Sequence, residues 1–282
     1  MSDYKALQNY LESIAPGEFR DLSILDSIHP IYIYRYKFLD YDYSAFGISF
    51  DSQLAKTKCF AEAIERYALY HCNDFTMKSV NDPSVEIQLE SSDFLNSNGV
   101  AAHLSIEEAI KEGQSELIER HHILSWWLNQ ANAIEAELQF ELTDEVKVLK
   151  KLKNIKIYSI SLSQENPTFL AIFIEKGKIY FGMGHHANRS QAVEKAILES
   201  LLVYRLKAGK RVLSESQEFV SQKIQLNPTE VDDLYYKDIT PEGSPLIVIK
   251  NYGPNLRGIS KKELKEMESS ERSRNLCQLF YL

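Results

Sequence analysis

Cysteine is scarce in this 282-residue chain: Cys59, Cys72 and Cys277 are odd in number and include no C-x-x-C pair. A disulfide framework and a thiolate zinc centre are therefore excluded, and the three read as small packed thiols. Long apolar runs are missing as well. None approaches the roughly 18 residues needed to cross a bilayer, and Met1 to Tyr10 lack the basic start and apolar stretch of a secretory signal. No block of like-charged Lys/Arg offsets a formal net charge of −8, so the overall field opposes nucleic-acid phosphates. These absences predict a cytoplasmic protein that takes neither nucleic acid nor membrane as partner. Also missing are the G-x-x-x-x-G-K-[ST] phosphate loop, the kinase signature set and an H-E-x-x-H pair.

What is present is a globular composition, 44% hydrophobic with 16 Tyr and 13 Phe, enough for a sizeable core. A short amphipathic start (Tyr4, Leu7, Tyr10, Leu11, Ile14) leads into the β-forming run Ile31 to Tyr36. Helical patterns follow over Asp51 to about Cys72, Ser105 to about Asn129, and Ser190 to about Lys207. The second opens with Ser105-Ile106-Glu107-Glu108, a capping box. Strands are predicted at Ile155 to Leu162, Thr168 to Ile174, Lys178 to Gly182 and Leu246 to Lys250. The Gln164 to Pro167 and Lys176-Gly177 segments supply turns. The Thr240 to Pro245 loop is too weak a boundary to divide the chain, so residues 1–282 are read as one domain.

Three segments follow one plan. Aligned on Glu62, Glu116 and Glu199, they place Ala55, Ala109 and Ala192 seven residues earlier and Cys59, Gly113 and Ala196 three residues earlier. These positions share a helix face, so small residues let the helix approach a sheet closely while the glutamate points into the same interface. The first two copies continue identically in type: Glu62-Ala63-Ile64-Glu65-Arg66 and Glu116-Leu117-Ile118-Glu119-Arg120. Two such carboxylate pairs brought together and buried require cations, either arginine or a divalent metal. Hard oxygen ligands favour Mg²⁺ bridging to nucleotide phosphates. Exposed Glu-x-x-Glu-Arg segments do occur on solvated helices, but Leu117, Ile118, Ile123, Leu124, Trp126 and Trp127 leave the second helix little solvent face.

Gly182-Met183-Gly184-His185-His186-Ala187 matches G-x-G-x-x-A, yet no following strand closes a dinucleotide-binding unit. A tight turn presenting a helix N-terminus is the reading here. The pairs His121-His122 and His185-His186 raise a metal-dependent hydrolase as a weaker alternative, with one histidine of each pair facing the site. Cys72, beside His71, is read as packing rather than as a nucleophile, and no catalytic residue is singled out.

Asn98-Gly99-Val100-Ala101, followed by Glu108-Ala109 and Glu116 to Arg120, resembles the central motif of the YcaO family. There a Ser-Asn-Gly loop leads into a helix ending Glu-x-x-Glu-Arg. Ile28 to Tyr32 resembles that family's early strand, Ala55 to Arg66 its first Glu-x-x-Glu-Arg helix, and Gly182 to Glu199 its third helix. The likeness covers about Ile24 to Arg205, residues 206–282 being weakly matched. It implies an α+β fold, with mixed β-sheets and long packed helices built from a threefold repeated motif. It also implies use of ATP and Mg²⁺ to phosphorylate a peptide-bond amide oxygen after a nucleophile has attacked. Azolines, thioamides or amidines in a ribosomal peptide are the products.

By the resemblance, Glu62, Glu65, Glu116 and Glu119 would hold metal. Glu62, Arg66, Asn98, Glu108, Arg120 and Glu199 would contact the nucleotide. A ribosomally made precursor peptide, a separate leader-binding or helper protein and a homodimeric state are the partners implied. This sequence departs from the family where Lys58 stands for Ser, Ala45-Phe46-Gly47 for Gly-Lys-Gly, Leu104 for Asn and Val203 for Gln. The ending Leu279 to Leu282 is not proline-rich, and no leader-binding domain is expected ahead of the core. Those departures motivate the alternative, an inactive paralogue that binds a peptide or partner, in which Lys58 turns inward to neutralise Glu62, Glu65 and Glu119.

Overall fold

The structure, a computed structural model, describes residues 4–25, 29–127, 133–136, 138, 141–161, 167–206, 210–211 and 234–253. The chain opens with helix α1 (Tyr4–Ile14), whose Leu7 and Leu11 are fully buried. Strands β1 (Gly17–Asp21), β2 (Tyr32–Phe38) and β3 (Ser44–Ser49) then pair antiparallel in sequence order. Helix α2 (Ser52–His71) follows at once. Asp51 caps it by accepting from Leu54 N at 2.7 Å, and Cys72 closes it.

The middle of the chain supplies β4 (Thr76–Ser79), β5 (Glu86–Gln88), the one-turn α3 (Ser91–Phe94), β6 (Val100–His103) and the long α4 (Ile106–Trp127). Ser105 caps α4 through Glu108 N, 3.3 Å from its Oγ. The final part contains β7 (Ile134–Glu135), α5 (Asp144–Leu152), β8 (Lys156–Ser159), β9 (Thr168–Glu175), β10 (Lys178–His185), α6 (Arg189–Arg205), β11 (Lys210–Arg211), β12 (Tyr235–Asp238) and β13 (Ile247–Tyr252). Asn188 caps α6.

The strands form three sheets, ordered β1-β2-β3, β5-β4-β12-β13-β6 and β11-β10-β9-β8-β7. Each carries one long helix: α2 lies on β2 and β3, α4 on β13 and β6, α6 on β10 and β9. The mixed α+β architecture with long packed helices thus stands as expected. One apolar core joins α1, α2 and the first sheet to Phe94 of α3 and to Met77 and Val248 of the second sheet. Another joins α5, α6 and the third sheet to Ile33 and Ile48 of the first and to Ile31 just before β2. Each fully buried Leu, Ile or Phe there contributes about 1.5–3 kcal/mol.

Glycine sets how closely the helices approach. A Cβ on Gly47 would stand 1.9 Å from Ala55 O and 2.5 Å from Cys59 N; one on Gly184 would stand 1.9 Å from Ala192 O. The small residues at these helix positions therefore meet a strand backbone stripped of its own side chain.

This corrects the reading of Gly182 to Ala187 as a turn. Gly182, Gly184 and His185 lie inside β10, and the chain turns only beyond them. The three main helices and the principal strands fall where the sequence pattern places them. α3, α5 and the strands β1, β3, β4, β5, β6, β7, β11 and β12 are additions. The ending Leu279 to Leu282, Cys277, most of the Gln164 turn and the end of the second helix pattern at Asn129 lie outside the described residues.

Candidate acidic site between three helices

Three glutamates at equivalent helix positions reach back to the chain leading into their own helix. Glu62 accepts from Phe46 N at 3.1 Å, Glu116 from Gly99 N at 3.0 Å and Glu199 from Met183 N at 3.1 Å, across 16, 17 and 16 residues. The second glutamate of each Glu-x-x-Glu-Arg segment reaches forward to the strand before the next long helix. Glu65 accepts from Ala102 N at 2.7 Å and Glu119 from His185 N at 2.8 Å. Five carboxylates are thereby oriented by backbone amides, and the helices α2, α4 and α6 are tied to one another's strands through them. In α6 the corresponding second position is Leu202, which packs against the apolar core instead.

The cations present are fewer. Arg66 Nη2 donates to Glu62 Oε1 at 3.0 Å, Arg120 Nη2 stands 3.6 Å from Glu116 Oε1, and Lys195 Nζ donates to Glu119 Oε2 at 2.8 Å. Five carboxylates against three directly paired cations leave two carboxylates, Glu65 and Glu199, without a salt bridge among the described residues. Burial, reinforced by Glu62 and Glu116, pushes the Glu65 carboxyl well above the usual carboxylate range. Burial raises Glu116 and Glu199 too, with the Glu119 charge adding to both. Burial also acts to raise Glu119, but Lys195 and Arg120 outweigh it and hold Glu119 low. The Lys195 ammonium is raised in turn, since Glu119 and Glu199 overcome its own desolvation.

The donor set fits a hard divalent cation that also takes phosphate. Glu65 Oε2, Glu119 Oε1 and Glu199 Oε1 have no protein donor among the described residues. The buried Arg120 Nε likewise lacks an acceptor. Yet no three His, Cys, Asp or Glu side chains among the described residues converge tightly enough to cage a metal unaided. That suits Mg²⁺, which usually takes one or two protein carboxylates and completes its shell with phosphate oxygens and water.

Other expected residues are placed differently. Glu108 is exposed in the first turn of α4, and Asn98 borders the site, its own N–H bonded to Asn96 Oδ1 at 3.1 Å. Lys58 does not enter the carboxylates Glu62, Glu65 and Glu119. The residue is exposed, the charges that act on it are Glu194, Lys195 and Glu199 of α6, and desolvation lowers its pKa. The inward neutralising cation is Lys195, which the sequence reading did not select. Its position four residues before Glu199 on one helix was the available signal. Leu104 is 55% exposed, whereas Val203 packs against the third-sheet core.

The histidines do not build a metal centre. His122 Nδ1 and His185 Nδ1 share the Thr168 hydroxyl at 2.6 and 2.9 Å; the hydroxyl can donate to one ring at most, so at least one ring donates to it. It is the His185 amide, not its ring, that meets Glu119. Burial lowers both histidines, His122 to about 4 with help from His185 and His121. Sequence reasoning also missed Lys250 and Asn251, each 1% exposed, which grip the Asn96 to Gly99 loop from β13.

The sequence profile of one family, described as YcaO cyclodehydratase, ATP- and Mg²⁺-binding, matches residues 87–243, just over half the chain. No curated protein matches by sequence. Among solved structures, YcaO from Methanopyrus kandleri bound with AMPPCP and Mg²⁺ superposes with a TM-score of 0.66 at 14% identity, over 87% of each chain. A heterocyclase in complex with substrate and cofactor gives 0.70 at 14% identity, over 93% of this chain but 54% of its own; this chain thus spans about half its length. The Escherichia coli microcin synthetase McbBCD complex gives 0.60 at 13% identity, over 84% of this chain and 87% of that one. At these identities the shared property is the fold.

Proposed function

Because the chain belongs to the YcaO family, whose described cofactors are ATP and Mg²⁺, we propose that it activates a backbone amide of a ribosomally made peptide by O-phosphorylation. Azoline, thioamide or amidine formation would follow according to the nucleophile. The observation that carries this reading is the cluster of five amide-oriented glutamates, two of them without a salt bridge, with open carboxylate oxygens and an Arg120 Nε that has no acceptor among the described residues. Bound Mg²⁺ would supply charge neutralisation on the nucleotide phosphates. Glu62, Glu65, Glu116 and Glu119 would hold it in ones or twos. Arg120, Arg66 and Lys195 would take phosphate oxygens and the charge that develops as phosphate is transferred. Glu199, Asn98 and Glu108 would border the nucleotide.

Residues 1–282 would act as one domain in the cytoplasm, as a homodimer, with a separate helper or leader-binding protein delivering the peptide. The McbBCD assembly, a complex of several proteins, supports that last element. The deciding experiment is calorimetric titration with Mg²⁺-ATP, followed by peptide-dependent ADP and phosphate release. Binding and release are expected; no nucleotide binding would remove the enzyme reading.

A second reading, an inactive paralogue that binds a peptide or partner, draws on Lys195, which already satisfies Glu119 without a metal, and on Val203, partly buried against the third-sheet core. Peptide binding with no ATP binding would select it.

A further inference from the structure

We propose that Lys250 is a positioning residue of the nucleotide site, whose ammonium fixes and polarises the single peptide unit, Asn98–Gly99, that holds the Glu116 carboxylate. The link to nucleotide rests on the function proposed above; the link to Glu116 rests on geometry alone.

The Lys250 side chain is 1% exposed. Its Nζ donates to Asn96 O at 2.9 Å, Asn96 Oδ1 at 3.0 Å and Asn98 O, which uses all three ammonium hydrogens. Not one of these acceptors is a carboxylate. The Asn98 carbonyl belongs to the same peptide plane as the Gly99 N–H, and that N–H donates to Glu116 Oε2 at 3.0 Å. Ammonium, carbonyl, amide and carboxylate thus form one line across a single resonance-stabilised unit. An ammonium on the oxygen draws electron density from nitrogen and strengthens the N–H as a donor, as in any polarised hydrogen-bond chain. Lys250 is in effect the counter-ion of Glu116 at one peptide's remove.

Asn251 locks the other side of the glycine. Its backbone N and its Nδ2 both donate to Gly99 O, at 2.7 and 3.1 Å. Gly99 itself sits at φ +72°, where a Cβ would meet Asn251 O and the Leu117 side chain at 2.8 Å. Adjacent residues of β13 therefore fix four acceptors along Asn96 to Gly99.

The first helix offers an internal contrast. There the Ala45–Phe46 peptide does the same work for Glu62, its N–H on the carboxylate at 3.1 Å, but its carbonyl lies in the β2–β3 ladder opposite Tyr36 and meets, besides that, the Cys59 thiol at 3.7 Å rather than an ammonium. A thiol is a weak donor. The charged version is confined to the loop next to α4, where the carboxylate it supports carries the weaker arginine contact, 3.6 Å against 3.0 Å. Burial lowers the Lys250 pKa to about 7, and Glu116 acts against that lowering to favour the charged form.

The test uses full-length protein labelled with ¹⁵N-glycine, as wild type, Lys250→Met, Glu116→Gln and the double variant. Two readings are taken, Gly99 amide exchange and shift, and affinity for Mg²⁺-ATP. Lys250→Met is expected to move the Gly99 resonance upfield and speed its exchange at least about tenfold, leaving Gly177 in the β9–β10 turn unchanged. Nucleotide affinity is expected to fall about tenfold in Lys250→Met and no further in the double variant than in Glu116→Gln. A residue with a merely structural role would lower the melting temperature without this coupling.

Folded Lys250→Met with an unmoved Gly99 amide, or with additive losses of affinity, would overturn the proposal. Should that variant fail to fold, Lys250→Gln, which keeps a donor but no charge, is read in the same way. If wild type binds no Mg²⁺-ATP while Gly99 still responds, the nucleotide role falls and the peptide link to Glu116 stands.

Discussion

The Lys195 ammonium donates to Glu119 Oε2 at 2.8 Å, and the same oxygen takes the His185 N–H at 2.8 Å. The Glu119 side chain is 2% exposed and the Lys195 side chain 44%. The pair therefore joins a buried anion to a cation that still reaches solvent, an arrangement able to hand the cation to an incoming phosphate. Lys195→Met leaves Glu119 with one amide donor and Arg120 nearby. Removing one partner of a buried pair costs about 3–5 kcal/mol, and the exposure of Lys195 reduces the expected loss to about 1–3 kcal/mol. Thermal unfolding should show that loss without ligand, and Mg²⁺ should restore more stability to Lys195→Met than to wild type.

Glycine at position 184 is set by helix approach, since its strand conformation is open to any residue. Gly184→Ala would drive a methyl into Ala192 O at 1.9 Å and Ala196 N at 2.8 Å. The helix must retreat, which weakens the Glu199 bond to Met183 N along with the packing. The expected cost is about 3 kcal/mol or more, at the upper end for overpacking because the obstacle is backbone. Urea unfolding should give it, and Gly177→Ala, where nothing stands within 4 Å but φ is +70°, should cost less, about 1 kcal/mol.

The helices and their carboxylates were legible because each signal was local. Asp51 and Ser105 cap, the alanine spacing marks a face, and Glu-x-x-Glu-Arg recurs within five residues. The partners of those carboxylates were not legible. Phe46, Ala102, Met183 and His185 contribute amide N–H groups, which every residue except proline possesses, so sequence carries no mark of them. Lys250 left a faint signal, a lone charge closing the apolar run Leu246 to Ile249, and only the burial of β13 on both faces shows that this side chain is covered. The glycines of β10 were misread because Gly-x-Gly before a helix signals both a turn and a close helix–strand contact. Only α6 lying on the strand separates the two.

Glu65 predicts a trade between stability and binding. Its folded pKa is raised, so the folded state holds the proton more tightly than the unfolded chain. Stability from this group is full below the ordinary carboxylate range and falls as pH rises toward the raised value. Glu65→Gln keeps an acceptor for Ala102 N and removes the charge. The variant should melt higher than wild type by about 2–4 °C at pH 7, match it at pH 4, and bind Mg²⁺-ATP at least about tenfold more weakly. Melting curves at both pH values, paired with calorimetry, would show it; an unchanged affinity would remove Glu65 from the metal set.

His122 predicts acid sensitivity of the opposite sign. Burial and the neighbouring His185 and His121 depress its pKa from 6.5 to about 4, so between those values the unfolded chain binds a proton that the folded chain refuses. Stability from this group is complete above pH 6.5 and declines as pH falls toward 4. At 1.36 kcal/mol per pKa unit the loss is on the order of 3 kcal/mol. His185, shifted in the same direction, adds to it. Protonation would also change the shared Thr168 contact: two ring N–H groups would then donate to the hydroxyl oxygen, and its own hydrogen would lose a ring nitrogen as acceptor. His122→Gln keeps a hydrogen-bonding group toward Thr168 and cannot titrate, so its melting temperature should fall less than that of wild type between pH 7 and pH 4.5. Thermal scans of the two proteins across that range decide the matter, and parallel acid curves would show that the buried histidine chain is not what limits stability in acid.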